Sequence, residues 1–567
     1  MTNNKNTNKK INLLEATDLR IAFGHGDQVT EVVHGLSFSL SKGEILGIVG
    51  ESGSGKTVTG LSILKLLSPQ NSSVSSDSFK LNLEDEILDL NTLRESAMQS
   101  LRGKKIAMIF QEPMSAFNPV ITCGNQVIEV LTTHTDMSKS AAKALVLGLF
   151  KEVELPDPER AYRSYPHQLS GGQLQRIMIA MAISCSPALI IADEPTTALD
   201  VTIQQSILDL LKSLNVKYGL SLLFISHDLG IVANLCDRVL VMRNGVIVES
   251  GTAKEIFNNP KDPYTQGLIA CRPTLTTTGH RLPELADYLD EEKKHPRQSQ
   301  RLNDHHQQET LLVATDLVKR YKNTSGWFSE PTYTTAVDTV SLTLKSGEVV
   351  GLVGESGCGK TTLSNLLLGL DLPDSGEITY LDKSLADFKP KDWKRYRKSV
   401  QVVFQNPYSS LNPKMRIGRI IKEPMDIHHI YNKNERKDAV LDLLSKVGLP
   451  ADAYDRFPSQ FSGGQRQRIV IARALASQPK LVICDESVSA LDVSIQASII
   501  NLLLDLKDQF NLSYLFISHD LRVIKFVSDR VLVMQSGKII ESGLTEQIFN
   551  DPQQDYTASL INSIPTL

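Results

Sequence analysis

Two stretches of this chain, Gly50-Glu-Ser-Gly-Ser-Gly-Lys-Thr57 and Gly354-Glu-Ser-Gly-Cys-Gly-Lys-Thr361, have the composition of a phosphate cradle. Glycines at these spacings let backbone N–H groups turn inward around an anion. Lys56 and Lys360 would neutralise phosphate oxygens, and the Thr57 and Thr361 hydroxyls would reach a magnesium ion. Gly50, Ser52, Gly53, Ser54 and Gly55 are therefore nucleotide-binding candidates, as are Gly354, Ser356, Gly357, Cys358 and Gly359. Further along, Asp193-Glu194 and Asp485-Glu486 each end a short apolar run. An aspartate at the end of a strand can hold a metal through its water shell, so Asp193 and Asp485 join the two threonines as metal candidates. The adjoining Glu194 and Glu486 suit a general base for an attacking water, worth about 10²–10⁴ in rate. Gln111, in Phe110-Gln-Glu-Pro-Met, and Gln405, in Phe404-Gln-Asn-Pro-Tyr, could lend a neutral oxygen to the metal or to that water. Together these parts spell nucleotide hydrolysis.

Every part occurs twice, in one order. The interval is 304 residues from Lys56 to Lys360, and 292 for each of Ser170/Ser462, Asp193/Asp485 and His227/His519. Elements in fixed register mark an internal duplication, and two copies can make a two-site enzyme in one chain. The runs Ile45-Leu-Gly-Ile-Val49 and Val349-Val-Gly-Leu-Val353 precede the Gly-rich loops, and helical patterns at 61–67 and 363–368 follow them. Strand, loop and helix is the context the phosphate motif requires. Apolar runs at 188–192, 221–225, 480–484 and 513–517 read as buried parallel strands with chemistry at their carboxyl ends. The expectation is an α/β fold with ligands at the carboxyl edge of a sheet. The first copy is longer ahead of its serine motif, and the polar stretch 72–78 reads as a surface insertion.

A chain of 567 residues is too long for one core. It divides as a polar tail (1–11), a first domain with a C-terminal extension (12–273), a linker (274–310) and a second domain with its own extension (311–567). As flexible coil, ~35 residues of linker would span roughly 30–35 Å; a short helix around 282–289 is compatible with its leucines. The net charge of −4 supplies no bulk drive toward nucleic acid or anionic lipid. No apolar run approaches the ~20 residues of a membrane-spanning helix. The polar N-terminus lacks a secretory core, and six scattered cysteines suit reduced thiols.

Leu169-Ser-Gly-Gly-Gln173 and Phe461-Ser-Gly-Gly-Gln465 carry a family resemblance. With the other motifs, the chain resembles the ATP-binding cassette (ABC) ATPases over nearly its whole length. The resemblance implies two tandem P-loop ABC nucleotide-binding domains, each a RecA-like α/β lobe with an antiparallel β subdomain and a helical signature lobe. It implies that Ser170, Gly171, Gly172 and Gln173, and likewise Ser462, Gly463, Gly464 and Gln465, cap the γ-phosphate held by the opposite cassette. A helix N-terminus with orphan N–H groups suits that anion, and an ordinary serine N-cap is compatible with it. His227 and His519 match the switch histidine that contacts γ-phosphate, and Asp200 and Asp492 match the loop linking the two sites. Phe23 and Tyr321 stand where the family stacks a ring on adenine, although an aromatic on an early strand serves equally as core.

Within the family, the stretches 108–119, 165–172 and 192–203 look like the bacterial dipeptide/oligopeptide importer ATPases, a group that includes nickel and glutathione importers. The second half resembles the partner ATPase of the same systems. Pro263-Tyr-Thr265 matches their distal tail, whereas the second copy has Asp555 where proline is expected. The implied role is an ATP hydrolase on the cytoplasmic face of the bacterial inner membrane, peripheral to it. Its implied partners are two integral-membrane permease subunits and, through them, an extracytoplasmic solute-binding protein. The implied ligands are ATP and Mg²⁺. Only Cys271 lies where relatives bear a cysteine cluster, so no iron–sulfur cluster is expected. The rival reading is an ABC ATPase acting on nucleic acid or ribosomes; the unpaired cysteines and short polar linker argue against it, and the basic run Lys394-Arg-Tyr-Arg-Lys398 reads as a solvated helix face. A structural ATPase with coiled-coil arms is excluded by the lack of heptads.

Overall fold

The computed structural model describes residues 12–290 and 309–564, apart from 25–28, 84–85, 197–200, 278, 324–331 and 490. The expected polar tail and most of the second half of the linker lie outside these residues. The chain forms two compact units, one from residues up to Leu199 with Ile203–Ile269, the other from Ala270–Ile564.

Each unit is built around a six-stranded sheet of the same topology. In the first, the order is Val246–Thr252, Arg238–Arg243, Ile45–Val49, Ser221–Ile225, Leu189–Asp193, Ile106–Ile109. All neighbours are parallel except the terminal hairpin. In the second, Lys538–Leu544, Arg530–Gln535, Val349–Val353, Ser513–Ile517, Leu481–Asp485 and Val400–Val403 repeat it. The central strands are buried at every residue. A strand covered on both faces must be apolar throughout, which is why these runs do not alternate. An antiparallel sheet packs beside each, led by Asn12–Phe23 with Thr30–Ser41 and by Thr310–Asn323 with Thr332–Lys345. A helical lobe includes Cys123–His134 and Gly171–Ile183 in the first unit, Ile417–His428 and Gly463–Leu475 in the second.

Two sequence expectations change. The stretch 72–78 lies at the surface as expected, but it is paired: Ser72–Ser75 adds to the antiparallel sheet, with Val74 opposite Ile21, and Ser78–Asn82 follows with Leu81 opposite Leu14. Backbone pairing makes a strand of it despite its serines. The extra length is not confined there. The interval between copies falls from 304 to 299 at Leu81 and Tyr380, which face the equivalent Leu14 and Leu312, then to 294 at Ile106 and Val400.

The second change concerns the linker. Residues 274–289 pack into the second unit as a strap, ending in the helix Leu285–Leu289. Cys271 and Leu282 are buried in the second unit's core, with Leu275 and Leu285 against it. Asn501, on the helix Val493–Phe510, fixes the strap. It accepts from the Leu282 N–H (2.8 Å) and donates to the Leu282 carbonyl and the Glu284 carboxylate (2.9 Å each). Average polarity concealed this, because a few spaced leucines and one amide suffice. Asn501→Asp would turn a donor into a carboxylate facing a carbonyl and Glu284, costing roughly 2–4 kcal/mol. Hydrogen exchange of amides 271–289 should then accelerate while that of 349–353 holds; unchanged protection of the strap would contradict the clamp.

Candidate active site

Backbone geometry makes each phosphate loop. Gly50, Gly53 and Gly55 have φ of 152°, 80° and 98°, and Gly354, Gly357 and Gly359 have 155°, 77° and 112°. These values admit glycine readily and other residues only with strain. At Gly50 a Cβ would also come 2.1 Å from the Met242 carbonyl oxygen, whereas at Gly53 it would meet nothing within 4 Å. The loop is tight against the protein at one end and open where a ligand would lie. Lys56 Nζ donates to the carbonyls of Gly50 and Glu51, and Lys360 Nζ to those of Gly354 and Glu355, all at 2.8 Å. The helices Lys56–Ile63 and Lys360–Leu367 start directly from the loops without a side-chain cap, leaving their first N–H groups aimed into them. Ser54 Oγ is buried without a hydrogen-bond partner among the described residues. A phosphate fits this set of donors. In the second loop the Cys358 thiol takes the place of Ser54, buried and 3.8 Å from Lys360 Nζ.

The carboxyl edge assembles the expected acids, amides and histidines. Thr57 Oγ1 donates to Asp193 Oδ1 at 3.0 Å, and Gln111 Nε2 donates to Glu194 Oε2 at 2.9 Å. His227 Nδ1 lies 3.0 Å from Glu194 Oε1. In the second unit Gln405 Nε2 donates to Glu486 Oε2 at 2.8 Å, and His519 Nδ1 lies 3.5 Å from the same oxygen. Each glutamate is thus held between the glutamine and the histidine. Burial pushes Asp193 and Asp485 up to about 6, against the pull of Thr57 and Lys56 on the first and of Lys360 on the second. Glu486 is held below the usual carboxylate range, chiefly by its hydrogen bond to His519. In the second unit the two adjacent acids therefore lean in opposite directions, Asp485 keeping a proton to higher pH and Glu486 staying ionised.

The sequence did not foretell the backbone of those glutamates. Glu194 and Glu486 both have φ of 47°, a left-handed conformation costing of order 1–3 kcal/mol in a non-glycine residue. Their N–H groups donate to the carbonyls of Ile225 and Ile517 at 2.9 Å, two residues ahead of each histidine. That bond locks glutamate and histidine to one frame.

Other candidates are distributed differently. Ser170 and Ser462 cap the helices Gly171–Ile183 and Gly463–Leu475, each accepting from the glutamine three residues on, whose side chain accepts in return from the serine N–H. Ser170 and Gly171 are exposed, while Gly172 and Gly464 lie against Ile203 and Ile495, where a Cβ would come within 2.8 and 2.4 Å. Among the described residues, no hydrogen bond or ion pair ties either serine motif to the phosphate loop of its own unit. Asp492 opens the helix Val493–Phe510 without a side-chain cap bond; Asp200 lies outside the described residues. Phe23 is half-buried against the core. Tyr321 is exposed, donates to Asp371 Oδ2 at 3.1 Å and has Lys319 over its ring at 5.7 Å.

One further contact was marked in sequence only as a tail motif. The Tyr264 hydroxyl accepts from the Glu51 N–H at 3.1 Å, and the Tyr556 hydroxyl from the Glu355 N–H at 3.2 Å. Both tails therefore latch onto the phosphate loops, and the Asp555 substitution leaves the second latch intact. Tyr264→Phe and Tyr556→Phe should each forfeit about 1 kcal/mol at the loop. The expected readout is a roughly fivefold weaker apparent ATP affinity with near-normal melting; unaltered affinity in both variants would show the bond to be idle.

Comparison with known proteins places these features in a family. The ABC transporter family model matches residues 33–197 and 337–489, and the oligopeptide/dipeptide transporter C-terminal region matches 248–298 and 540–567. The glutathione import ATP-binding protein GsiA of Pectobacterium atrosepticum is 43% identical over 98% of this chain and 89% of its own length. That of Escherichia coli K12 is 43% identical over 98% and 90%. Among solved structures, cbiO1 from Clostridium perfringens, part of the ABC transporter complex cbiONQ, aligns over 43% of this chain and 92% of its own, with 26% identity and a TM-score of 0.38. With two phosphate loops, two serine motifs and two latched tails accounted for, the chain belongs to the ABC transporter ATP-binding proteins, as an ATP hydrolase of two cassettes, each followed by an oligopeptide/dipeptide-type C-terminal region.

Proposed function

We propose that this chain energises a bacterial importer of small peptides, a class that includes glutathione, by hydrolysing ATP at two sites and driving two separate permease subunits at the inner membrane. The observation that carries the reading is the doubling: each unit holds its own Lys, Asp, Glu, Gln and His around one open loop. The relatives named for glutathione import and the two oligopeptide/dipeptide-type tails support the cargo class. Among the described residues no helix is long and apolar enough to cross a membrane, so the pathway for cargo is assigned to the permeases. A solute-binding protein on the outer side would deliver cargo to them.

In this reading the phosphate loops and lysines bind the nucleotide's phosphates, and Glu194 and Glu486 take the proton of the attacking water. Gln111 and Gln405 orient each glutamate; His227 holds the other carboxylate oxygen of Glu194, and His519 lies beside the same oxygen of Glu486 that Gln405 binds. Thr57 with Asp193, and Thr361 with Asp485, suit magnesium, which keeps few protein ligands and would neutralise phosphate charge when bound. The exposed serine-motif helix ends suit the γ-phosphate of the opposite cassette, so Lys56 pairs with Ser462 and Lys360 with Ser170. ATP between the cassettes would draw them together, and hydrolysis would release them.

Glu194→Gln and Glu486→Gln should each retain ATP binding and lower steady-state ATPase and peptide uptake by about 10²-fold or more, as expected for loss of a general base. A near-normal rate in either variant would leave only one hydrolytic site. Ser170→Arg should impair nucleotide trapping at the site of Lys360, and Ser462→Arg at that of Lys56. Damage confined to the same half in each case would refute the head-to-tail pairing. Uptake of labelled dipeptide, tripeptide and glutathione by cells lacking the gene, with and without the chain restored, tests the cargo; loss of none of them would reject it.

A further inference from the structure

The two cassettes differ in how they hold the aromatic ring nearest the phosphate loop. In each, a strand of the antiparallel sheet touches the loop at one point: a Cβ on Gly55 would come 3.4 Å from the Val32 carbonyl oxygen, and one on Gly359 would come 2.1 Å from that of Ala336. Two residues before these points, Thr30 and Thr334 pair across the sheet with Phe23 and Tyr321. Each ring's residue therefore stands roughly 7 Å along a strand and 5 Å across it from its loop. That is within the length of a nucleotide whose phosphates lie in the loop.

The supports of the two rings are unlike. In the first unit Ser72–Ser75 pairs with the far side of the ring's strand, with Ser72 opposite Phe23, and Phe23 packs half-buried on the core. The interval between copies falls by five residues in this region, from 304 to 299. Among the described residues the second unit has no equivalent of that strand. Its pairing stops at Val318 and Ser375, and the side chains of Asp371-Leu-Pro-Asp374 stand in for it. Asp374 Oδ2 accepts from the Arg320 N–H at 2.7 Å. Asp371 serves two partners, Oδ1 accepting from Lys319 Nζ at 2.8 Å and Oδ2 from the Tyr321 hydroxyl at 3.1 Å. Lys319 also donates to the Leu372 carbonyl at 2.8 Å and lies 5.7 Å over the Tyr321 ring.

Tyr321 is thus fixed at its hydroxyl and covered by a cation on one face. The hydrogen bond between Lys319 and Asp371 lowers the carboxyl below its usual range and raises the ammonium, so both stay charged at neutral pH. The ring is still 40% exposed. A flat heteroaromatic ring can stack on its open face, and less freedom is lost against a side chain already held in place. The first unit cannot copy the device. Ile21, fully buried, stands in place of Lys319, and phenylalanine has no hydroxyl to pin.

We propose that Asp371 and Lys319 are positioning residues for the nucleotide base in the second cassette. They set the open face of Tyr321 to stack on adenine, so the second site holds ATP by its base more tightly than the first. This rests on the reading of the phosphate loops as nucleotide sites.

The test photolabels the full chain with trace 2-azido-ATP and Mg²⁺, maps the label to peptides of each unit, and lets ATP or the baseless tripolyphosphate compete. In the wild type ATP should displace label from the second site at about fivefold lower concentration than from the first, a preference tripolyphosphate should not share. Asp371→Ala should raise the ATP needed at the second site about fivefold, leaving tripolyphosphate competition, the first site and the melting temperature unmoved. Asp371→Asn keeps an oxygen for the tyrosine hydroxyl and should recover most of the affinity. Tyr321→Phe keeps the ring, loses the pin and should repeat the effect of Asp371→Ala. ATP competition unmoved in both Asp371→Ala and Tyr321→Phe would overturn the positioning role. A parallel loss of tripolyphosphate competition would overturn it too, making Asp371 a support of the loop. Wild-type label displaced by neither competitor would overturn the nucleotide reading of the loops, and the proposal with it.

Discussion

Each cassette depends on holding one stretch of backbone in a shape that most sequences avoid. Three glycines with positive φ turn a loop inside out, so that N–H groups face the ligand while the carbonyls of the loop's first two residues face a lysine ammonium. Such a loop has little internal apolar contact to hold it, and its stability must come from its frame. The frame is the fully buried strand before it, the helix that starts from it, and the tail tyrosine that accepts one of its N–H groups. Everything that the carboxyl edge does for chemistry presupposes that frame.

The same logic explains the glutamates. A carboxylate that turns out at the mouth of a sheet has to leave its strand abruptly, and the left-handed turn at Glu194 and Glu486 does so. The strain persists because a neighbouring strand captures the residue's N–H and a histidine and glutamine capture its side chain. Three hydrogen-bonding partners over-determine one residue, which is how local strain survives in a folded chain.

Much of this was legible in the sequence because the chemistry is written in contiguous words. The phosphate loops, Asp-Glu pairs and histidines read directly, and the buried strands could be read from unbroken apolar runs. Less could be read where partners are distant in sequence or where composition misleads. Tyr264 meets Glu51, and Asn501 meets Leu282, across roughly 200 residues, and neither spacing carries a local signal. The serines of 72–75 read only as a polar surface insertion, because a strand at a sheet edge needs backbone partners more than apolar side chains. The basic run at 394–398 looked like a solvated face, and only the fold shows that it borders a cleft.

The strap has a consequence for how the chain could be divided. Residues 270–289 belong covalently with the first cassette's tail yet fold as part of the second unit, with Leu282 buried and three hydrogen bonds closed by Asn501. A cut within 291–308 would therefore not free the halves from one another. The amino-terminal fragment would still own a buried piece of its partner, and the carboxyl-terminal fragment would lack part of its own core until that piece returned. Expressed as two polypeptides, the halves would each be incomplete alone and would reassemble by complementation, the strap serving as a recognition tag that specifies a heterodimer against either homodimer.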